Sequence, residues 1–272
     1  MTKWQFSFLY FYGLTDSQII LEHPIFRKIE KANKPDFGDV LSKSIELFKK
    51  VWEQALYHVL ITMVTVVPLI VLFYVPYFIF IFSVGGEHTY GVPGDPYIPG
   101  LIIYVILLFI LIFLVQAIVL GITVHFFQVL KKVDNEETTD VGGYLDIVRN
   151  NFKKLLQLSL ATFGIVILAA LLCYVPIFYV MVPLNLVGVF YAFNEGLSAA
   201  DVIKACFKFG NKFWVIIFGL IFISSIIAQA GIILCFVGVF FTAYFMHVPL
   251  YYLYKDSIGF EEESEDVSLL IS

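Results

Sequence analysis

Few side chains in this 272-residue chain could perform acid–base chemistry, act as nucleophiles or bind a metal. The sequence contains no H-E-x-x-H, G-x-S-x-G, P-loop or G-x-G-x-x-G motif. Its three cysteines, Cys173, Cys206 and Cys235, lack the spacing of a metal site. We therefore expect no catalytic residues, no metal and no cofactor, and we expect a protein that is not an enzyme.

Neutral polar residues inside long apolar runs are the next candidates for chemistry. Gln116 and Asn185 could line an intramembrane polar site, as in a carrier or flippase-like handler of a lipid or small uncharged solute. The alternative is that they make hydrogen bonds between helices. His58, His125 and His247 lie nearer the ends of apolar runs and allow the same two interpretations.

Cationic side chains recur in three amphipathic stretches, 37–52, 142–157 and 197–214. Each stretch precedes a long apolar segment. Basic residues near a bilayer surface attract anionic lipid headgroups with about 1 kcal/mol each. The sequence predicts headgroup contacts at Lys43, Lys49, Lys50, Arg149, Lys153, Lys154, Lys204 and Lys208. The alternative is that these cations only enforce topology and anchor the helices.

The elements that position these residues are apolar helices. Apolar residues make up 60% of the chain and charged residues 14%, which is unusual for a soluble domain. The run from Leu101 to Leu120 has 17 Leu, Ile, Val or Phe residues among its 20 positions. At roughly −0.4 kcal/mol each, these residues favour membrane insertion by about 7 kcal/mol, against roughly +3 for one central lysine.

Apolar length and helix breakers predict an all-α membrane protein. We expect six transmembrane helices in three hairpins, and a basic amphipathic surface helix before each hairpin. The first three spans are placed at about 57–82, 99–130 and 156–174. Pro176 and Pro183 bracket a tight outer turn and the start of the fourth, which reaches about Asn194. The uncharged segment 213–254 is long enough for two more, with a turn near 229–231.

The distribution of Lys and Arg supports this arrangement. All 17 fall on one side of the six-span topology. The positive-inside rule then places both termini in the cytoplasm. The centres of the spans contain no Asp, Glu, Lys or Arg, which argues against an ion-driven pump.

Several local signals add detail. Ser198 and Asp201 form an S-x-x-D capping box, and Gly210 is placed to end the helix that they begin. Cys173 and Cys235 fall near the outer boundary of their spans. They could form a disulfide in an oxidising periplasm, and the alternative is two buried free thiols. An aromatic belt or a headgroup site is indicated by Tyr244, Tyr251, Tyr252 and Tyr254.

Two stretches carry a resemblance to a known family. F-G-D-V-L-x-K-S-x-E-L-F-K-K-x-W precedes the first span, and S-A-A-D-V-I-K-A-C-F-K-F-G-N-K-F-W precedes the fifth. This pattern resembles the membrane domain of glycerophosphoryl diester phosphodiesterases and related uncharacterised bacterial membrane proteins, over about Phe37 to Lys255. The resemblance implies a six-helix domain in the cytoplasmic membrane. No hydrolase sequence accompanies it here, so it implies no activity.

Three regions are expected: a cytoplasmic extension at 1–36, a membrane domain at 37–255 and an acidic disordered tail at 256–272. We expect a multi-pass protein of the inner membrane that acts as a scaffold, assembly factor or partner subunit. Its expected partners are membrane lipids and a membrane protein. Nucleic-acid binding is not expected, because no basic cluster stands apart from a span.

Overall fold

The computed structural model of the protein describes residues 23–84, 97–138, 140–172, 174–233 and 238–260. These residues form helices and no strands, which confirms the all-α prediction. In chain order the elements are α1 (Pro24–Lys31), α2 (Phe37–Val84), α3 (Tyr97–Asp134), α4 (Asp146–Leu171), α5 (Val175–Asn185), α6 (Val187–Phe193), α7 (Ala199–Lys212), α8 (Trp214–Ile233), α9 (Gly238–Thr242), a 3₁₀ helix (Ala243–His247) and α10 (Val248–Ser257).

Several of these helices are long and apolar enough to cross a membrane. Four stretches qualify, Phe37–Phe78, Pro99–Asp134, Asp146–Leu171 and Val175–Phe193. The bent pair Ala199–Lys212 and Trp214–Gln229 makes a fifth if it counts as one span. The prediction of a multi-pass membrane protein is thus supported by four or five candidate spans in the described residues. Six spans stay a prediction, because the described residues after 237 are divided among three short helices.

The first amphipathic stretch does not form a separate surface helix. α2 runs without interruption through 37–84, or about 72 Å at the α-helical rise, more than twice the thickness of a hydrocarbon core. The sequence explains this continuity, because no glycine or proline lies between Gly38 and Pro68. The predicted bend between stretch and span is absent, and the basic half of α2 extends along the span's own direction.

The other two stretches do change direction before their spans. α4 contains a non-helical residue at Asn151, where φ is −118° and ψ is 21°. α7 and α8 meet at 95°. The predicted cap at Ser198 is confirmed, because the Asp201 amide donates to Ser198 Oγ at 3.2 Å. The reciprocal half of the capping box differs, since the Asp201 carboxylate accepts from the Ser198 hydroxyl.

Gly210 does not end α7, which continues to Lys212, so that prediction was wrong. The glycine instead allows α7 to approach α5. A Cβ at Gly210 would lie 3.0 Å from Pro183 Cβ and 3.1 Å from Pro183 Cα, closer than packed carbon atoms normally come.

The packed core lies at one end of the helices. Residues 121–127 of α3 are all buried, as are Val40, Leu47 and Val51 of α2. Further along α2 the side chains point outward, and Val64 and Leu72 are each 74% exposed. We call the buried end, where the start of α2, the end of α3, α7 and α10 lie, the basic end. The other end presents apolar side chains suited to lipid.

The tyrosines near the end of the chain belong to this core rather than to an aromatic belt. Tyr244, Tyr251, Tyr252 and Tyr254 are all buried within the protein. Tyr251 and Tyr252 donate their hydroxyls to Asp134 at 2.9 and 2.6 Å, and the Lys255 ammonium lies 2.5 Å from the same carboxylate. This cluster joins the end of α3 to α10.

α1 is held on α7 by two lysines. Lys212 donates to three carbonyl oxygens at the end of α1, those of Ile29 at 3.0 Å, Glu30 at 2.6 Å and Ala32 at 2.8 Å. The last carbonyl oxygens of a helix lack the N–H donors of a further turn, so the ammonium supplies a donor and complements the helix dipole. The Ile29 oxygen also accepts from the Ala32 amide at 3.3 Å. Lys208 lies 2.8 Å from the Glu30 carboxylate, and this hydrogen bond holds the pKa of Glu30 below its usual range.

Candidate functional site

The eight cations predicted to bind headgroups fall into two groups, with Lys154 between them. Lys43 pairs with Asp39 at 2.6 Å and with Asp256 at 3.0 Å. Lys204 lies 3.6 Å from Asp201, and Lys208 is engaged with Glu30 as described above. A protein carboxylate therefore already neutralises these three cations in part.

Four other predicted cations have no ion pair with any carboxylate among the described residues. These are Lys49, Lys50, Arg149 and Lys153, and all four are exposed. Lys154 is intermediate: it donates to the Glu195 carbonyl oxygen, and its ammonium lies 5.1 Å from the centre of the Tyr191 ring. Its two direct contacts are thus with neutral groups, and the Glu195 carboxylate lies within electrostatic reach without forming an ion pair.

Lys153 and Lys154 line an open cavity of about 440 Å³ between α4 and the start of α7. The lining contains two ammonium groups, three side-chain amides and the residues that begin α7, but no carboxylate. Its residues are Asn150, Asn151, Lys153, Lys154, Gln157, Gly196, Leu197, Ser198 and Ala199. Ammonium and amide N–H groups are the donors that recognise anionic oxygen atoms.

Local sequence explains the shape of this cavity. The non-helical residue Asn151 interrupts α4 one turn before Lys154. Across the cavity, Ser198 caps α7 and donates its hydroxyl to Asp201 at 2.6 Å. The bond from Lys154 to Glu195 ties α4 to the loop before that cap. The bend in α4 and the cap of α7 shape the two walls of the cavity, and the hydrogen bond from Lys154 to Glu195 joins them.

The two residues predicted to form an intramembrane polar site have separate partners. Gln116 donates from Nε2 to Thr162 Oγ1 at 3.1 Å, which joins α3 to α4. Asn185 donates from Nδ2 to the Met181 carbonyl, 2.8 Å away in its own helix. No hydrogen bond links the two side chains, so the structure does not bring them together as one site.

The structure does bring together two histidines that sequence reasoning left apart. His58 of α2 and His125 of α3 are 0% and 3% exposed, and His58 Nε2 lies 2.8 Å from His125 Nδ1. The other ring nitrogens lie 2.6 Å from the Gln54 carbonyl oxygen and 3.2 Å from that of Gly142. Their similar depth at the inner ends of two consecutive spans was the available signal.

Aromatic rings enclose the histidine pair. The Tyr144 ring is centred 4.9 Å from both imidazoles, and Phe126 and Tyr244 lie 5.0 and 5.6 Å from His58. In the part of the chain that the structure describes, no three His, Cys, Asp or Glu residues are arranged to hold a metal ion.

The cysteine prediction cannot be placed on these helices. Cys173 and Cys235 lie outside the described residues, and the disulfide between them stays a prediction. Cys206 is a buried free thiol in α7.

Comparison with known proteins identifies no relative whose function could be compared with this site. No family model, no curated protein and no solved structure matches the chain.

Proposed function

We propose that this protein is a non-enzymatic membrane protein, a scaffold, assembly factor or partner subunit, that holds an anionic lipid headgroup at its basic end. The supporting observation is the cavity lined by Lys153 and Lys154, whose lining contains the ammonium and amide donors of α4 and no carboxylate. A headgroup phosphate fits these donors, and exposed apolar side chains further along α4, such as Leu160 and Leu168, suit acyl chains. Purification in mild detergent as a lone monomer would count against the scaffold or subunit role.

The proposed orientation has six spans, cytoplasmic termini and an inner-membrane location. α2, α3, α4, α5 with α6, and α8 supply five spans, and the sixth would run through α9, the 3₁₀ helix and α10. The position of all 17 Lys and Arg residues on one side supports it. We expect a cysteine placed beside Lys132 to resist an impermeant reagent in intact cells. Labelling from outside would overturn the orientation.

The family resemblance and the carrier or flippase alternative, both drawn from the sequence, gain no support from the structure. The resemblance to the membrane domain of glycerophosphoryl diester phosphodiesterases stays a prediction. So does the carrier or flippase alternative, because Gln116 and Asn185 have partners of their own.

The headgroup proposal predicts a specific effect of Lys153. Lys153→Gln should weaken binding of anionic phosphatidylglycerol about fivefold relative to wild type, the equivalent of roughly 1 kcal/mol for one cation. Native mass spectrometry or titration of detergent-solubilised protein would measure this loss. Neutral phosphatidylcholine should bind wild type and variant alike.

Lys204→Gln is the matched control, because it removes the same charge from a lysine already paired with Asp201. It should leave phosphatidylglycerol binding within about twofold of wild type. Equal losses in the two variants would indicate diffuse attraction to the basic end. No loss in Lys153→Gln would remove the cavity from the proposal.

A further inference from the structure

The His58–His125 pair lies between two backbone carbonyl oxygens. His58 Nδ1 faces the Gln54 oxygen at 2.6 Å, and His125 Nε2 faces the Gly142 oxygen at 3.2 Å. A carbonyl oxygen can only accept, so each of these ring nitrogens needs a hydrogen atom if its contact is a hydrogen bond. The two nitrogens between the rings, 2.8 Å apart, share a third hydrogen.

These contacts require three hydrogen atoms on four ring nitrogens. Two neutral imidazoles carry only two, one on each ring. In the neutral pair, therefore, at least one contact either sets two lone pairs against each other or sets two N–H groups against each other. A fourth hydrogen would be just as unfavourable, because two N–H groups would then point at each other across 2.8 Å.

We propose that the His58–His125 pair is a binding site for one proton, and that the bound proton completes a hydrogen-bond chain from α2 through α3 to the linker before α4. The chain runs from the Gln54 carbonyl through both imidazoles to the Gly142 carbonyl. The pair holds a single positive charge in this state. This inference does not depend on the headgroup proposal.

The groups around the pair define its electrostatic setting. Asp140 and Asp146 on the linker and α4 lie within electrostatic reach of His125 and offset a positive charge there. His247 of the 3₁₀ helix lies within electrostatic reach of His58, and a charge on His247 would oppose proton uptake. Tyr144 and Tyr244 complete the surroundings as neutral groups. Burial disfavours a positive charge on either ring, and the two carbonyl oxygens and the two carboxylates oppose that effect. The pair therefore has compensating groups for one charge and none for a second.

The linker before α4 connects the histidine pair to the protein surface, and its attachment to α3 depends on the bound proton. Gly142 is exposed and has a φ of 85°, a conformation that suits glycine, and it turns its carbonyl toward His125. The amides of Gly142 and Gly143 are already bonded to Asp140 and Asp146 at 3.1 and 2.6 Å. The contact from His125 to the Gly142 oxygen, at 3.2 Å, is the longest of the three, so it is the one that we assign as unmade in the neutral pair. Proton binding then changes the attachment of this turn to α3 through this bond.

The first test counts the protons directly in the wild-type protein. ¹⁵N-histidine NMR in lipid nanodiscs, from about pH 8 to about pH 4, reports which ring nitrogens carry hydrogen. We expect this pair to change from two to three hydrogen atoms, with one shared between the rings. His23→Gln, His88→Gln and His247→Gln, made separately, remove the other three signals and assign the spectrum. No added proton across the range, or two fully protonated rings, would overturn the proposal.

The second test measures the linker. Hydrogen exchange of residues 141–145, corrected for the intrinsic effect of pH, should be about fivefold slower with the proton bound, as expected for one added hydrogen bond. His125→Gln should abolish this change and His23→Gln should preserve it. Exchange that is independent of proton uptake in the wild type would contradict the proposed effect even if His125→Gln failed to fold.

Discussion

Replacing Asp134 with alanine is expected to lower the free energy of unfolding by about 3 kcal/mol. The carboxylate is 14% exposed and accepts from Tyr251, Tyr252 and Lys255. Its removal leaves a partly buried ammonium and two tyrosine hydroxyls without their acceptor. Denaturant titration in detergent micelles would measure the loss, and α10 should separate from α3 early in unfolding.

The position of Asp134 shows why these contacts matter. An acid in the last turn of a helix lies against the negative end of the helix dipole, which is unfavourable by itself. The partners on α10 offset this cost and convert the end of α3 into an attachment point. Tertiary contacts, rather than helix formation, therefore stabilise an aspartate at this position.

Asp256→Ala is the matched control, because it removes the same group from a more exposed ion pair, with Lys43 at 3.0 Å. Surface pairs contribute little, so its loss should stay below about 1 kcal/mol. Similar losses in the two alanine variants would show that burial of the α3–α10 contact is not what gives Asp134 its effect.

Sequence reasoning succeeds in this chain where the signal is local. The run at Leu101–Leu120 predicts an apolar helix because insertion free energy depends on composition over one continuous stretch. Ser198 and Asp201 predict the start of α7 because the capping hydrogen bond joins residues only three positions apart.

It fails where a distant residue decides the outcome. Gly210 is a plausible helix terminator by type, but its role depends on Pro183, which only the packing of α5 on α7 brings near. The same holds for the cations, because distant residues decide which of them form ion pairs. Lys208 pairs with a residue 178 positions away, and Lys43 with one 213 positions away. Their types and spacing could not distinguish them from the unpaired Lys153.

The histidine pair shows an intermediate case. His58 and His125 were placed at comparable depths in adjacent spans, but nothing in the sequence fixes the rotation of α2 against α3. A rotation of one residue, about 100°, would turn either ring away from the other. Side-chain packing in the core therefore creates the pair, and the two carbonyls that face it come from a helix turn and a linker that sequence spacing does not connect.

The close approach of α3 and α4 leads to the second large effect. A Cβ at Gly121 would lie 2.5 Å from Val148 Cγ2 and 3.0 Å from Leu155 Cδ1. Valine cannot turn away easily, since its branched Cβ restricts the side chain. Gly121→Ala should therefore push the helices apart and lower the free energy of unfolding by about 2 kcal/mol, measured by the same denaturant titration.

Two further variants determine whether the contact itself causes this loss. Gly164→Ala, in α4 with no atom within 4 Å of the new methyl group, should not destabilise the protein, because alanine favours the helix over glycine. Val148→Ala removes the atom that Gly121→Ala would strike, so the double variant should be more stable than Gly121→Ala alone. If the loss in the double variant equalled the sum of the Gly121→Ala and Val148→Ala losses, the α3–α4 contact would not be the cause. Independent sites have additive effects, whereas removing the colliding atom should make the combined loss smaller than the sum.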